Sequence, residues 1–217
     1  MARSVLAIVF DLDGTLIDSY GPIADSLNHA RAHFDLPPLS PSAVRRRVGR
    51  GLETLIAELV GPQRVPVGVR LFRERYAEVY ATGTFVLPDV AETLGGLARS
   101  GYRMGVASNK PAHFSEPLLE RLGLRSFFRC VLGPDSVNSH KPEPLMIRRC
   151  LECLAARPAQ AVYVGDMDLD VESAARAGVP LLLVPGGSTD ARSLAASGQP
   201  VLRSFAELRQ RLGGPPS

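Results

Sequence analysis

Two carboxylates stand two residues apart at the end of an apolar run. Val5-Leu6-Ala7-Ile8-Val9-Phe10 leads straight into Asp11-Leu12-Asp13-Gly14-Thr15. A short run rich in β-branched residues reads as a buried strand. A parallel α/β sheet binds its ligands just beyond the carboxyl ends of its strands, so both acids can reach one small site there. One could attack an electrophile while the other handles a proton. An Asx turn would account for one Asp and the Gly. It does not account for Asp11, Asp13, Thr15 and the following Asp18-Ser19 together.

Three later segments carry further polar groups, two of them at the ends of apolar runs. Residues 102–107 end in Ser108-Asn109-Lys110. A hydroxyl and an amide there suit phosphate oxygens, although Ser-Asn is also ordinary strand-exit chemistry. In Ser139-His140-Lys141-Pro142-Glu143-Pro144 the two prolines fix the backbone and could aim Lys141. Taken alone, this segment reads equally well as a helix entry with a solvated lysine. Residues 161–164 lead into Gly165-Asp166-Met167-Asp168-Leu169-Asp170. The spacing predicts Asp166 and Asp170 on one face of a helix start, where the helix dipole favours negative charge. An EF-hand loop would need Gly at its sixth position and Glu at its twelfth. Val171 and Ala177 stand there, so that reading fails. Asp168 is expected to be solvated or to cap the helix.

Lysine usage adds a clue. Of 25 basic residues only Lys110 and Lys141 are lysines, and both fall in these segments. Arginine bias of this kind fits a GC-rich genome. Against it, a lysine marks a place for a compact point charge rather than a wide planar fork. Lys110, beyond the Ser108-Asn109 pair, is expected to matter less than Lys141.

The elements that must position these residues follow from periodicity. Residues 22–34, 41–48, 52–60 and 69–80 read as helices, and 20–80 hold no convincing strand. From 88 onward helices and strands alternate: helix 89–100 and strand 102–107, helix 114–122 and strand 130–132, helix 144–155 and strand 161–164. Helix 170–177 and strand 180–184 follow, then strand 200–202 and helix 205–212. Alternation of this kind predicts a doubly wound parallel sheet with helices on both faces. Residues 1–17 and 88–217 are thus expected to form a Rossmann-like core, and 18–87 an all-helical insert beside the two acids. A frayed tail is expected at 213–217.

Asp11-Leu12-Asp13-Gly14-Thr15-Leu16-Ile17-Asp18-Ser19 resembles the first motif of the haloacid-dehalogenase-like hydrolases, in their phosphoglycolate-phosphatase-like branch. The later segments are similar to the family's other motifs, in order, over nearly the whole chain. The resemblance implies a Mg²⁺-dependent phosphatase for a small phosphomonoester, with 2-phosphoglycolate favoured. Asp11 would be the nucleophile, forming an aspartyl-phosphate, and Asp13 the general acid and then base. Lys141 would offset negative charge. Thr15, Ser108 and Asn109 would contact substrate. Mg²⁺ would be held by Asp11, the backbone carbonyl of Asp13, Asp166 and, in support, Asp170. The insert would be the cap that helps set substrate choice. Met167 departs from the family pattern, where a small hydroxyl residue is frequent.

Asp13 argues against dehalogenation, because a departing halide needs no proton and an alkoxide does. A phosphonate-cleaving relative would need a cap lysine for a Schiff base, and 20–88 contain none. A β-phosphoglucomutase-like phosphomutase, a pyrophosphatase and a catalytically silent scaffold remain as alternatives, although the scaffold would be expected to lack a motif acid. In the insert, Arg45, Arg46 and Arg47 read as a solvated face. Arg50 lies between Gly49 and Gly51, which let the backbone approach a ligand. It is expected to reach the distal anion of a carboxylated substrate.

Bulk properties narrow the partners. The chain has 217 residues, 45% hydrophobic, and a net charge of +3. That length and composition support a good core plus a smaller unit. Dispersed charge and sparse aromatics argue against nucleic acid. No apolar run is long enough for a membrane span, and 5–10 is too short for a signal-peptide core, so the cytoplasm is expected. Three cysteines form no disulfide framework, and Cys150 and Cys153 are expected to be buried thiols. The four histidines fall in no triad order. Nothing in the sequence defines an oligomeric state.

Overall fold

The structure is a computed structural model and describes residues 5–212; the expected frayed tail at 213–217 lies outside them. The elements run β1 (Ala7–Phe10), β2 (Ile17–Asp18), α1 (Tyr20–Ala32), α2 (Pro41–Arg45), α3 (Leu52–Leu59), α4 (Val65–Val79), β3 (Phe85–Val86) and α5 (Val90–Arg99). Then come β4 (Arg103–Ala107), α6 (Ala112–Arg121), β5 (Phe128–Leu132), α7 (Pro134–Val137), α8 (Leu145–Cys153) and β6 (Ala161–Gly165). The chain ends with α9 (Asp168–Ala177), β7 (Leu181–Leu183), α10 (Ala191–Ala196) and α11 (Glu207–Leu212).

Five strands form one sheet in the order β5-β4-β1-β6-β7, and each pairing is parallel. β1 is central, with Ala7 in register with both Arg103 and Ala161. Alternate side chains of a strand face opposite sides, and β1 shows it. Ile8 and Phe10 join the apolar cluster that takes Leu94, Leu118 and Leu208 from α5, α6 and α11. Ala7 and Val9 join the opposite cluster, with Ile147, Ala174 and Leu194 from α8, α9 and α10. Burial on both faces explains why the run reads as continuously apolar rather than alternating.

Helices α1 to α4 build a third apolar cluster around Leu27, Ile56 and Phe72, with Phe114 of α6 packed against it. Local signals set their ends. Ser40 caps α2 by accepting from the Ala43 N–H, and Pro41 occupies its first turn. The chain leaves the sheet for these helices through β2 and returns through β3, and the two pair antiparallel, Ile17 with Val86. This ribbon was not anticipated, because two-residue strands carry no periodicity. α7 and α10 are likewise too short to show a helical repeat. The strand expected at 200–202 is a single bridge, Val201 to Leu183. Among the described residues no helix is long and apolar enough to cross a membrane.

Candidate active site

The carboxyl ends of β1, β4 and β6 meet under the helical insert. Asp11 and Asp13 leave β1, Ser108 to Lys110 leave β4, and Asp166 leaves β6. A cavity of about 640 Å³ opens there. The sheet side contributes Asp11, Asp13, Ser108, Asn109, Lys110 and Lys141. The insert contributes Val48, Gly49, Leu52, Leu55, Phe72, Arg73 and Tyr76.

Lys141 sits at the bottom, fully buried. Its Nζ lies 2.7 Å from Asp170 Oδ1, 2.9 Å from Asp11 Oδ1 and 3.2 Å from Tyr163 Oη. Tyr163 in turn donates to the Ala107 carbonyl at 2.8 Å. Burial would lower the Lys141 pKa, but Asp11 and Asp170 outweigh it and hold the ammonium charged well above the usual range. Burial pushes the Asp11 carboxyl up to about 6, against the pull of Lys141 and with a further push from Asp170. Asp166 is raised well above its ordinary value, again mostly by burial, then by Asp170 and Asp11.

Asp11, Asp166 and Asp170 form a buried triad whose ligand oxygens all lie within 4.8 Å of one another. Three buried carboxyl groups, two of them paired with one lysine and all offering hard oxygen donors, fit a small divalent cation. Asp166 and Asp170 are not on one helix face as the spacing predicted. Asp166 precedes α9, and the two are joined because Asp170 Oδ2 accepts from the backbone N–H of Asp166 at 3.0 Å and of Met167 at 3.2 Å. A residue larger than glycine at Gly165 would run into Asp170, and one at Gly187 into Asp166. Asp168 is exposed in the first turn of α9.

Asp13 belongs to a second cluster. Both its oxygens lie 3.0 Å from Lys110 Nζ, and Ser19 donates to Oδ1 at 2.5 Å. Lys110 is buried, with its ammonium 5.1 Å from the centre of the Tyr76 ring. Burial would lower its pKa, but Asp13 and Tyr76 raise it. Lys110 thus lies in the cavity wall with a carboxylate partner, a place its position beyond the Ser108-Asn109 pair did not suggest. β4 ends before Ser108, and the chain turns so that Lys110 points back beneath the insert. The rarity of lysine was the signal available for it.

The remaining sequence candidates divide. Ser108 is buried and lines the cavity, its Oγ accepting from the Lys110 N–H at 3.3 Å. Asn109 also lines it, but its amide is engaged. Oδ1 accepts from the Lys141 N–H at 2.7 Å, and Nδ2 donates to Gly49 O at 2.8 Å and Lys141 O at 3.2 Å. Thr15 donates to Asp166 Oδ1 at 2.9 Å and is not among the lining residues. Gly49 and Gly51 line the cavity, whereas Arg50 is exposed and does not. Arg45 is not solvated as expected; it donates to Gly187 O at 2.9 Å and lies over the Tyr20 ring. Cys153 is exposed rather than buried. Sequence reasoning missed Tyr20, Tyr163 and Ser188, and singled out Ser19 without giving it a role. Tyr163 sits mid-strand, where nothing distinguishes it from a core aromatic. Ser188, whose N–H donates to Asp166 Oδ2 at 2.6 Å, follows a Gly-Gly pair just beyond a strand.

A profile described as haloacid dehalogenase-like hydrolase matches residues 8–184. The chain belongs to the haloacid dehalogenase-like hydrolases. A phosphoglycolate phosphatase of Chromobacterium violaceum is 35% identical over 214 residues, covering 95% of this chain and 96% of its own. One from Rhodospirillum rubrum is 36% identical, covering 96% and 91%. A solved structure from Haemophilus somnus, described as a predicted phosphoglycolate phosphatase, superposes with a TM-score of 0.90 at 27% identity, over 98% of this chain and all of that one. CbbY from Rhodobacter sphaeroides, solved in complex with phosphate, gives 0.79 at 27% identity, over 94% and 96%. Within the hydrolase family the chain falls in the phosphoglycolate-phosphatase-like branch, enzymes acting on phosphoric monoester bonds.

Proposed function

We propose that this enzyme hydrolyses a small carboxylated phosphomonoester, 2-phosphoglycolate, through an aspartyl-phosphate on Asp11, with Mg²⁺ as cofactor. The observation that carries this reading is the pairing of two carboxylates at one cavity with two separate buried lysines. Lys141 keeps Asp11 close to its ionised form, as a nucleophile needs. Mg²⁺ would be held by Asp11, Asp166 and the backbone carbonyl of Asp13, with Asp170 in support, and would supply neutralisation of phosphoryl charge. Ser108 Oγ lines the same mouth and would donate to a phosphoryl oxygen. Asn109 acts by holding the Lys141 backbone and Gly49 in place, and Thr15 by orienting Asp166.

Asp13 would give its proton to the leaving alkoxide and take one from water in the second step. Lys110 is paired with it at rest. A substrate carboxylate would draw the Lys110 ammonium to itself, and Asp13, no longer paired, would take up from solvent the proton that it then passes to the leaving alkoxide. The names of the full-length relatives favour phosphoglycolate, and the buried cation at the cavity favours a second anion on the substrate. Residues 18–87 would act as the cap, with 1–17 and 88–217 as the catalytic core. The free thiols suit a cytoplasmic setting.

The test is a single turnover with excess enzyme, acid-quenched and mapped by mass spectrometry, beside a substrate panel. A phosphoryl group on the peptide bearing Asp11, and preference for 2-phosphoglycolate over ethyl phosphate, are expected. Label on no residue, or on another residue, would overturn the covalent step. Equal kcat/KM for the two esters would overturn the substrate.

A further inference from the structure

All three cysteines of the chain gather at one edge of the sheet, away from the carboxylates. Cys130 lies on β5, the outermost strand on its side, and is half-buried. Cys150 is buried on α8, with its Sγ 3.4 Å from Cys130 Sγ. Cys153, one turn on, is exposed and also interacts with Cys130.

The strand beneath is adapted to this pair. Gly105 of β4 is in register with Cys130. A Cβ at Gly105 would stand 2.5 Å from Cys150 Sγ and 3.0 Å from Cys130 Sγ. Glycine inside a strand weakens it and marks a close approach by another group. Here the vacated space holds two sulfurs in contact.

We propose that Cys130 and Cys150 form a modification site, a dithiol that a hydroperoxide converts to an intramolecular disulfide. Hydrogen bonding to Cys150 first, then to Cys153, with Arg125 nearby, draws the Cys130 pKa down to about 7 against burial and Glu116. Cys150 is raised well above the usual range and Cys153 to about 11. Cys130 is therefore the most readily ionised of the three thiols, and the thiolate is the form that reacts. Its sulfur attacks the peroxide; an S–O bond forms, the O–O bond breaks, and the alkoxide leaves and takes up a proton. Sulfur is oxidised by two electrons and the peroxide reduced to an alcohol. Cys150 Sγ then attacks Cys130 Sγ. The S–S bond forms, the S–O bond breaks, and hydroxide leaves as water with the Cys150 proton. The bond would close residues 130–150 into a covalent loop that carries α7 and Lys141.

The test uses the native full-length chain without substrate, so it is independent of the phosphatase reading. The protein is treated with hydrogen peroxide, alkylated and mapped. A mass loss of two hydrogens, one free thiol left of three, and a link between the Cys130 and Cys150 peptides are expected. Cys153→Ser should form the same link. Cys130→Ser should form none. Cys150→Ser should leave a sulfenic acid on Cys130 that a 1,3-dione traps; if that variant fails to fold, the wild-type map and Cys153→Ser decide. Three free thiols after treatment, or a link to Cys153 or between chains, would overturn the proposal.

Discussion

The two lysines of this chain sit in the same cavity wall and hold opposite kinds of position. Lys141 is enclosed by Asp11, Asp170 and Tyr163, all from the sheet and its helices, with its side chain 1% exposed. Lys110 bridges Asp13 and the Tyr76 ring of the insert, and its partner Asp13 is 13% exposed. The first ammonium is wrapped by fixed groups and cannot change partners without leaving buried carboxylates bare, which costs several kcal/mol. The second lies where the insert meets the core, in the wall of the cavity, where the proposed reading would have it exchange Asp13 for a substrate anion. On the proposed reading, charge of one sign would serve as scaffold in one corner and as recognition in the other.

The largest effect should come from the Lys141 corner. Asp11→Asn removes the nucleophile and is expected to lower kcat by on the order of 10⁴-fold or more, with unchanged circular dichroism; activity within a few-fold of wild type would remove Asp11 from the mechanism. Lys141→Arg keeps the charge but not the shape, since a planar fork cannot replace a point charge among three close oxygens. We expect about 10²-fold lower kcat and a destabilisation of about 1–3 kcal/mol from overpacking, read from urea denaturation. A near-normal kcat would show that any cation suffices there.

The metal dependence of that corner has a definite sign. The Asp11 pKa rises from 3.8 to about 6 on folding, so the native state binds more protons than the unfolded chain between those values. Stability of the metal-free protein should then fall as pH rises from 4 to 6 and stay lowered above. A cation binds the ionised carboxylates. The rise in Tm on replacing EDTA with Mg²⁺ should be larger at pH 7.5 than at pH 5. Equal rises at both would exclude the triad as the metal site.

The Lys110 corner should respond more selectively. Lys110→Met is expected to lower kcat/KM for 2-phosphoglycolate about 10- to 100-fold more than for p-nitrophenyl phosphate, the size of one hydrogen bond to a charged group. Equal losses on both would make Lys110 a support for Asp13 alone. Smallest of all should be Arg50→Ala. Its side chain is exposed and outside the lining residues, so both substrates should keep their kcat/KM within about two-fold. A selective loss on phosphoglycolate would show that the insert moves enough to bring Arg50 in.

What could be read in the residues alone was whatever depends on short-range pattern. The apolar run of β1, the helical spacing of α1 and α3 and the alternation after residue 88 are local consequences of burial and periodicity. The DxDGT segment and the polar groups that follow β4 and β6 could be placed because a parallel sheet presents the ends of its strands together. Element ends shifted by a few residues, as caps and first turns allow. Which exit group touches which was decided by tertiary packing. Lys110 and Lys141 look alike in sequence. The turn after β4 sends one under the insert, while Asn109 and the burial of Tyr163 fix the other on Asp11 and Asp170. Arg50 looked poised between two glycines, yet the fold turns the glycine backbone to the cavity and the side chain to water. Distances across 97 and 151 residues of chain, such as Lys110 to Asp13 and Thr15 to Asp166, leave no mark in any local window. They exist only once the whole sheet has closed.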